Sequence, residues 1–298
     1  MSRRLLLRSA ALAAGLACAL ACAFAGGGSD LRCDHLAPGT RECALGDRRY
    51  DVHVPASYTG ATPVPLLLDL HGYGMSKAVQ AGWFGSGFRA KSDRTGFVYV
   101  TPQGVQNAWH AQGRCCSFQR NPPDDVAFLE GVVAAVRAAG NIDASRIYVA
   151  GFSNGGSMAF ALACQRSELF AGAASVSFAL SGGTTVEEIV AACTPSRPIP
   201  VIHFHGTSDA ISPYDDGALD SIGARQSLAA WATIQGCDAS ATPEPVSGRT
   251  VCETRRNCRG GVAVSLCTVE RGPHHLYRSV ADPDIPDQIW AFWQSFPR

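Results

Sequence analysis

An α/β domain, with a mostly parallel sheet and helices on both faces, is the fold class that the sequence predicts. Apolar runs of strand length alternate along the chain with stretches of helical periodicity. The run LLLDL at residues 66–70 is almost continuously apolar, as expected of a strand covered on both faces. No linker rich in proline or serine and no internal repeat divides the chain, so we expect one domain over residues 26–298.

Seven strands and five helices are predicted. The strands occupy residues 50–54, 65–70, 97–101, 147–150, 173–177, 201–205 and 262–269. The helices occupy residues 80–94, 125–139, 154–164, 218–234 and 284–296. In the second helix, Val126, Leu129, Val133 and Val136 fall on one face. The long irregular stretch at residues 102–123 is predicted to be a functional loop.

The composition excludes two broad classes of protein. Hydrophobic residues make up 46% of the 298 residues and charged residues 17%, which excludes a disordered chain. Lys and Arg together number 25, Asp and Glu also number 25, and the basic residues are spread along the chain. Because nucleic-acid-binding proteins usually carry a basic face, no nucleic-acid partner is expected.

Residues 1–25 are predicted to be a signal peptide. Three arginines precede an alanine-rich apolar run, residues 9–25, which ends in the cleavage pattern Ala-Phe-Ala. This run is short and weakly apolar for a transmembrane anchor. We expect a secreted or periplasmic protein with no membrane contact beyond the signal peptide. The paired arginines leave Sec and twin-arginine export open, and Cys22 lies in a poor match to a lipoprotein signal.

The cysteine content predicts disulfides rather than a zinc site. Removal of residues 1–25 leaves ten cysteines, an even number that fits a disulfide framework in an oxidising compartment. The repeated C-x-x-C or C…H-x-H clusters of a zinc site do not occur in the sequence. Spacing does not fix the pairing. Because Cys115 and Cys116 are adjacent, we expect them to bond to different partners rather than to each other.

The most informative segment is a predicted buried strand that runs directly into GFSNG, residues 151–155, and then into a helix. This G-x-S-x-G pattern between a strand and a helix is typical of a nucleophile elbow, a sharp turn that exposes a serine hydroxyl. Glycines beside the serine let strand and helix approach closely. Ser153 is therefore the predicted nucleophile, and the fold that carries such an elbow is the α/β-hydrolase fold.

A serine nucleophile needs a base, and the base needs a carboxylate that orients it. In this fold the acid and then the histidine follow the serine, each in a loop after a later strand. Asp209 comes directly after the strand at 201–205 and is the predicted acid. The competing carboxylates lie further from that strand end: Asp215, Asp216 and Asp220. His274 and His275 occupy the turn after the last strand, and either could be the base.

A pair of histidines on one strand raises the alternative of a metal site. His203 and His205 lie on the same face of the strand, with Asp209 nearby. Packing or hydrogen bonding within the sheet is the other interpretation, and the sequence offers no third strong ligand. Serine-type acyl transfer requires neither a metal nor an organic cofactor. We therefore predict no metal and no cofactor.

The predicted reaction forms an oxyanion, which backbone N–H groups usually stabilise. One N–H is expected from Asn154, directly after the nucleophile at the start of a helix. The second is expected from Tyr73 in LHGYG, residues 70–74, after an early strand. Aromatic residues in loops could form a substrate platform, with Trp83 and Trp109 as the predicted substrate contacts. The other aromatic residues considered for this platform are Phe84, Phe118 and Phe178.

Several separate motifs together resemble one known group. They are LHGYG at 70–74, the tryptophan and paired cysteines at 109–116, DDV at 124–126, GFSNGG at 151–156, HGTSDAISPY at 205–214 and G-P-H at 272–274. Their combination resembles the secreted poly(3-hydroxybutyrate) depolymerase and feruloyl esterase group of α/β-hydrolases, from residue 50 to the C-terminus. The resemblance implies a serine esterase that acts on polyhydroxyalkanoate esters or on feruloyl and acetyl esters of plant polysaccharides.

The same resemblance implies roles at matching positions. Ser153 is the nucleophile and Asp209 the acid, and the group's G-G-x-H turn matches His274 if Arg271 replaces the first glycine. This match favours His274, with His275 as the alternative. The expected partner is an ester substrate, small or polymeric. Two rival functions remain: a catalytically silent, hydrolase-like secreted binding module, which usually lacks a member of the triad, and a peptidase on the same scaffold.

Overall fold

A computed structural model describes residues 31, 33–111, 115–116, 120–277 and 284–296. The signal peptide predicted for residues 1–25 lies outside the described residues. The strands are Gly39–Leu45 (β1), Arg48–Val54 (β2), Val64–Leu70 (β3), Val98–Pro102 (β4), Ile142–Phe152 (β5), Gly172–Val176 (β6), Val201–Gly206 (β7), Ala241–Ser247 (β8), Thr250–Arg255 (β9) and Val264–Val269 (β10). The α-helices are Lys77–Ala81 (α1), Phe88–Thr95 (α2), Asp125–Ala139 (α3), Asn154–Gln165 (α4), Val186–Ala192 (α5), Ala224–Gln235 (α6) and Ile285–Gln294 (α7).

The ten strands form one sheet in the order β1-β2-β4-β3-β5-β6-β7-β10-β9-β8. The six strands from β4 to β10 in this order are parallel, and an antiparallel pair extends the sheet at each edge. The predicted mostly parallel sheet is thus confirmed. Because the central strands are parallel, the loops that follow β3, β5, β7 and β10 all leave the same edge of the sheet.

Both faces of the sheet are covered. Leu66 and Leu68 of β3 belong to the core on one face, which also includes residues of α3, α4 and α6. Leu67 belongs to the core on the opposite face, with Phe88 of α2 and Trp290 of α7. This alternation explains why the strand reads as an unbroken apolar run. Among the described residues, no helix is long and apolar enough to cross a membrane.

The structure has strands at the sheet edges that the sequence pattern does not predict. These are β1, β8 and β9, with the sequences GTRECAL, ATPEPVS and TVCETR. Edge strands contact the core through few side chains, so they lack the apolar runs by which the central strands are recognised. The outermost strand, β8, contains Pro243 and Pro245.

The prediction of a single helix over residues 80–94 is wrong. The chain forms α1 and α2 instead, separated by a segment with three glycines. Gly87 adopts φ 87°, a left-handed conformation that favours glycine. A side chain at Gly85 would collide with the Gln80 carbonyl oxygen, so the chain turns tightly here. The short helix α5 was also not predicted.

All ten cysteines that follow residue 25 form disulfides, which confirms the predicted framework. The pairs are Cys33–Cys43, Cys115–Cys116, Cys164–Cys193, Cys237–Cys258 and Cys252–Cys267. The expectation that Cys115 and Cys116 bond to different partners is wrong. The other eight cysteines pair among themselves, so each of these two has only its neighbour as a partner.

Candidate active site

The turn at Ser153 joins the end of β5 to the start of α4. Ser153 has φ 53° and ψ −119°, a strained conformation for a residue with a side chain. Its backbone N–H donates to the carbonyl of Val176 in the neighbouring strand β6 at 2.8 Å. The surrounding structure therefore holds the serine in the sharp turn that the sequence pattern indicated.

Glycines beside Ser153 allow an unusually close approach of three chain segments. A side chain at Gly151 would collide with the carbonyl oxygen of Gly155, the second residue of α4. A side chain at Gly155 would collide with the carbonyl oxygens of Leu70, the last residue of β3, and of His71, which begins the following loop. The elbow and the loop that carries Tyr73 are therefore in backbone contact.

Three side chains from three separate loops form one hydrogen-bonded chain. The Oγ of Ser153 lies 2.9 Å from Nε2 of His274, and Nδ1 of His274 lies 2.7 Å from Oδ2 of Asp209. An ionised carboxylate only accepts, so His274 donates through Nδ1 and accepts the serine hydroxyl proton at Nε2. The loops after β5, β7 and β10 thus bring a hydroxyl, an imidazole and a carboxylate together.

The environment of Asp209 keeps its carboxylate ionised. The side chain is fully buried, and Oδ1 accepts the N–H groups of Ile211 at 2.9 Å and Ser212 at 2.8 Å. Burial by itself raises the pKa of this carboxyl, but hydrogen bonds from His205, His274 and the Ser212 N–H outweigh it and hold the pKa well below its ordinary value. The charge is thus available to orient and stabilise the imidazole.

His203 and His205 are buried in the sheet and hydrogen-bonded. Nδ1 of His205 lies 3.1 Å from Nε2 of His203, and its own Nε2 donates to the carbonyl of Ser212 at 2.8 Å. Burial holds the pKa of His203 well below its ordinary value, so that ring is neutral. In the part of the chain that the structure describes, no group of three or more His, Cys, Asp or Glu side chains could hold a metal ion.

The adjacent histidine, His275, has other contacts. Its carbonyl accepts from the hydroxyl of Ser177 at 3.0 Å, and its Nδ1 accepts the N–H of Tyr277 at 3.2 Å. The structure therefore brings His274, and not His275, to Ser153.

The two predicted oxyanion donors lie on segments that meet at the elbow. Asn154 is the first residue of α4, so its N–H has no acceptor within the helix. Tyr73 follows Gly72, whose Cα lies so close to the elbow that a side chain there would approach the Phe152 ring to 2.9 Å. The Tyr73 side chain is 54% exposed. These positions are compatible with the two predicted roles, which remain predictions.

The prediction that Trp109 contacts substrate is wrong. Its side chain is 0% exposed, and its indole N–H donates to the carbonyl of His71 at 2.9 Å. Phe178 is also buried, whereas Trp83 and Phe84 are each 87% exposed between α1 and α2. Phe118 lies outside the described residues. A position in an irregular segment did not distinguish buried from exposed aromatic rings, because loops also pack against the core.

The chain is similar in sequence to known esterases. Residues 124–227, roughly a third of the chain, match the Phospholipase/Carboxylesterase family model. The chain is 33% identical over 242 residues to feruloyl esterase B of Piromyces equi, which covers 76% of this chain and 42% of the relative. It is 27% identical over 260 residues to feruloyl esterase C of Emericella nidulans, which covers 84% of this chain and 85% of the relative.

Solved structures extend the comparison to the fold. An acetyl xylan esterase from Aspergillus awamori superposes with a TM-score of 0.64 at 15% identity, covering 86% of this chain and 99% of that one. A thermostable esterase superposes with a TM-score of 0.56 at 18% identity, covering 90% of this chain and 64% of that one.

The fold and these comparisons define the chain as an α/β-hydrolase. Within that class, the predicted resemblance to the feruloyl esterase group is confirmed, and the chain is an enzyme of the carboxylic ester hydrolase type. The chain spans less than half the length of the Piromyces relative.

Proposed function

We propose that this chain is a secreted serine esterase that hydrolyses carboxylic esters through Ser153, His274 and Asp209 by way of an acyl-enzyme. The observation that supports it most is the continuous hydrogen-bonded chain from Ser153 Oγ through both nitrogens of His274 to Asp209. A nucleophile, a base and an orienting carboxylate in this arrangement are the parts that serine-type acyl transfer requires.

In the first half-reaction, Ser153 Oγ attacks the ester carbonyl carbon while its proton passes to Nε2 of His274. Asp209 stabilises the imidazolium that forms. The carbonyl oxygen becomes an oxyanion, which accepts hydrogen bonds from the N–H groups of Asn154 and Tyr73. The C–O bond to the leaving alkoxide then breaks, His274 returns the proton to it, and an alcohol departs from the acyl-enzyme.

The second half-reaction repeats these steps with water. His274 Nε2 accepts a proton from water as its oxygen attacks the acyl carbon, and the same N–H groups hold the second oxyanion. Collapse of this intermediate breaks the bond to Ser153 Oγ, which takes the proton back from His274. The products are the alcohol and the free acid, and the enzyme is regenerated.

We propose feruloyl and related aromatic acyl esters of plant polysaccharides as the preferred substrates. This choice follows the relatives, which are named as feruloyl esterases. The test compares kcat/KM on methyl ferulate, acetylated xylan and hydroxybutyrate oligomers under one set of conditions. Methyl ferulate is expected to give the highest value. A preference for hydroxybutyrate oligomers would contradict this proposal and favour a poly(3-hydroxybutyrate) depolymerase.

Ser153→Ala tests the reaction itself. The variant is expected to lose activity on p-nitrophenyl butyrate and labelling by a fluorophosphonate probe, because both need the serine oxygen. Ser208→Ala is the matched control, since Ser208 is an exposed serine one residue from the proposed acid. Unlabelled wild-type protein would favour the silent binding module, and a preference for peptide over ester substrates would favour the peptidase.

Secretion is the remaining part of the proposal. The five disulfides fit an oxidising compartment. Expression of the full chain in a bacterial host is expected to yield an exported protein whose N-terminal sequence begins at Gly26. Retention of residues 1–25, or a lipid on Cys22, would contradict this.

A further inference from the structure

Trp109 connects the two chain segments that carry the predicted oxyanion donors. Its indole N–H donates to the carbonyl of His71 at 2.9 Å, on the loop that leads to Tyr73. Its backbone is held by the side chain of Asn154. Oδ1 of Asn154 accepts the Trp109 N–H at 2.7 Å, and Nδ2 donates to the Trp109 carbonyl at 2.9 Å. Three hydrogen bonds thus join the loop after β3 to the first residue of α4 through one tryptophan.

These contacts are removed from water. Trp109, His71 and Asn154 are all fully buried. A buried polar group that loses its partner is costly, so a shift of Trp109 would leave unpaired groups on both segments. The direct contact of Gly155 with the carbonyl oxygens of Leu70 and His71 leaves little room for either segment to move.

The His71 ring extends this arrangement to the amide of Tyr73. Its Nδ1 donates to the carbonyl of Gly72 at 2.9 Å, and its Nε2 accepts the N–H of Gly104 at 2.9 Å. Burial lowers the pKa of His71 to about 4, so the ring is neutral at pH 7, as these two contacts require. Because a peptide unit is planar, fixing the Gly72 carbonyl also fixes the direction of the Tyr73 N–H.

We propose that Trp109 is a positioning residue for the oxyanion hole, which sets the separation and direction of the Tyr73 and Asn154 N–H groups. This inference rests on the proposed function, because such a hole has a use only if an oxyanion forms beside Ser153. Donors that are already in place stabilise developing charge without reorganisation. Trp109 is fully buried, so it acts through these two segments and not through contact with substrate.

Trp109→Phe is the direct test, because it keeps an aromatic ring and removes the indole N–H. We expect kcat on p-nitrophenyl butyrate to fall at least about tenfold, less than the 10²–10³-fold cost of deleting an oxyanion donor outright, with KM changed by less than about twofold. Affinity for phenylboronic acid, whose tetrahedral adduct with Ser153 mimics the transition state, should fall by the same factor as kcat/KM.

Trp231→Phe is the matched control. Trp231 of α6 is also buried, and its indole N–H has no hydrogen-bond acceptor among the described residues. This variant removes the same ring volume without touching the elbow, so its melting temperature should fall while its kcat and boronate affinity stay at wild-type values. Equal losses of kcat in both variants, or a Trp109→Phe enzyme with kcat within twofold of wild type, would overturn the proposal.

Asn154→Ala tests the other end of the connection. It keeps the backbone N–H of residue 154 and removes both hydrogen bonds to Trp109, so kcat and boronate affinity should again fall together. Should Trp109→Phe not fold, unchanged boronate affinity in Asn154→Ala would overturn the proposal. Ser153→Ala in the same assay separates the two ideas. Full activity of Ser153→Ala would refute the proposed function. An inactive Ser153→Ala together with unaffected Trp109 and Asn154 variants would refute only the positioning role of Trp109.

Discussion

The Nε2 atom of His205 lies 3.4 Å from Oδ2 of Asp209, the same oxygen that accepts the hydrogen bond from His274. This nitrogen also donates to the carbonyl of Ser212, so it carries a proton. An N–H donor at this place stabilises the ionised carboxylate, as the hydrogen bond from His274 also does. The H-x-H pattern near Asp209 had two interpretations, a metal site or histidines hydrogen-bonded within the sheet. The contact of His205 with Asp209 agrees with the second.

Replacement of His205 with Phe should lower kcat by about tenfold, because the carboxylate loses a buried donor and its pKa rises. The measurement is kcat on p-nitrophenyl butyrate together with the melting temperature. His203→Phe is the comparison, since it removes the neighbouring buried ring, whose hydrogen bond is to Nδ1 of His205. If the two variants lose kcat equally, His205 has only a packing role.

Asp209→Asn should lower kcat by about 10³–10⁴-fold, because an amide cannot stabilise the imidazolium of His274. The fold should persist, since the amide oxygen can still accept the N–H groups of Ile211 and Ser212. Asp216→Asn, at an exposed carboxylate in the following loop, should leave kcat unchanged. A loss smaller than tenfold in Asp209→Asn would assign the acid to another residue.

The buried carboxyl of Asp69 should make stability depend on pH. It accepts hydrogen bonds from Gln80, Ser86 and Tyr99, yet burial raises its pKa to about 6. Between the unfolded value of about 4 and this value, the folded chain binds the proton more tightly, so its contribution to the free energy of unfolding falls as pH rises. The difference in free energy of unfolding between wild type and Asp69→Asn, measured by urea unfolding, should fall by about 2 kcal/mol from pH 4 to pH 6. A difference that is constant with pH would contradict this.

Gly155→Ala should abolish folding or activity, because the added methyl group would collide with two backbone carbonyl oxygens. Gly46→Ala is the comparison. Gly46 has a left-handed backbone at φ 59°, which disfavours a side chain, but open space around it, so the cost should be only about 1–2 kcal/mol. Soluble expression, urea unfolding and kcat distinguish the two. A Gly155→Ala enzyme with wild-type stability and kcat would show that the segments can move apart.

The central strands, and the positions of Ser153 and Asp209 in loops after them, could be predicted because each follows a buried strand with a clear apolar run. The edge strands could not be predicted, since they have one exposed face, and β8 also has prolines, so they lack the apolar runs of the central strands. The choice between His274 and His275 depends on the conformation of a single turn, and residue types alone left it open.

The burial of Trp109 and the pairing of Cys115 with Cys116 depend on residues that are remote in sequence. Trp109 bonds to His71 and Asn154, which are separated from it by 38 and 45 residues. Nothing local to residues 109–116 indicates those contacts. The segment at 109–116 could therefore be recognised as part of the family resemblance, but the contacts that explain its tryptophan could not be predicted.

The prolines of β8 affect whether a further strand could pair with the outer edge of the sheet. A proline fits a paired strand only where its nitrogen faces away from the ladder, so Pro243 and Pro245 withhold amide protons from the outer rim of the sheet. A register shift after Pro245 further distorts that rim. This edge of the ten-stranded sheet thus offers a poor template for intermolecular strand addition, which disfavours growth into fibrils there.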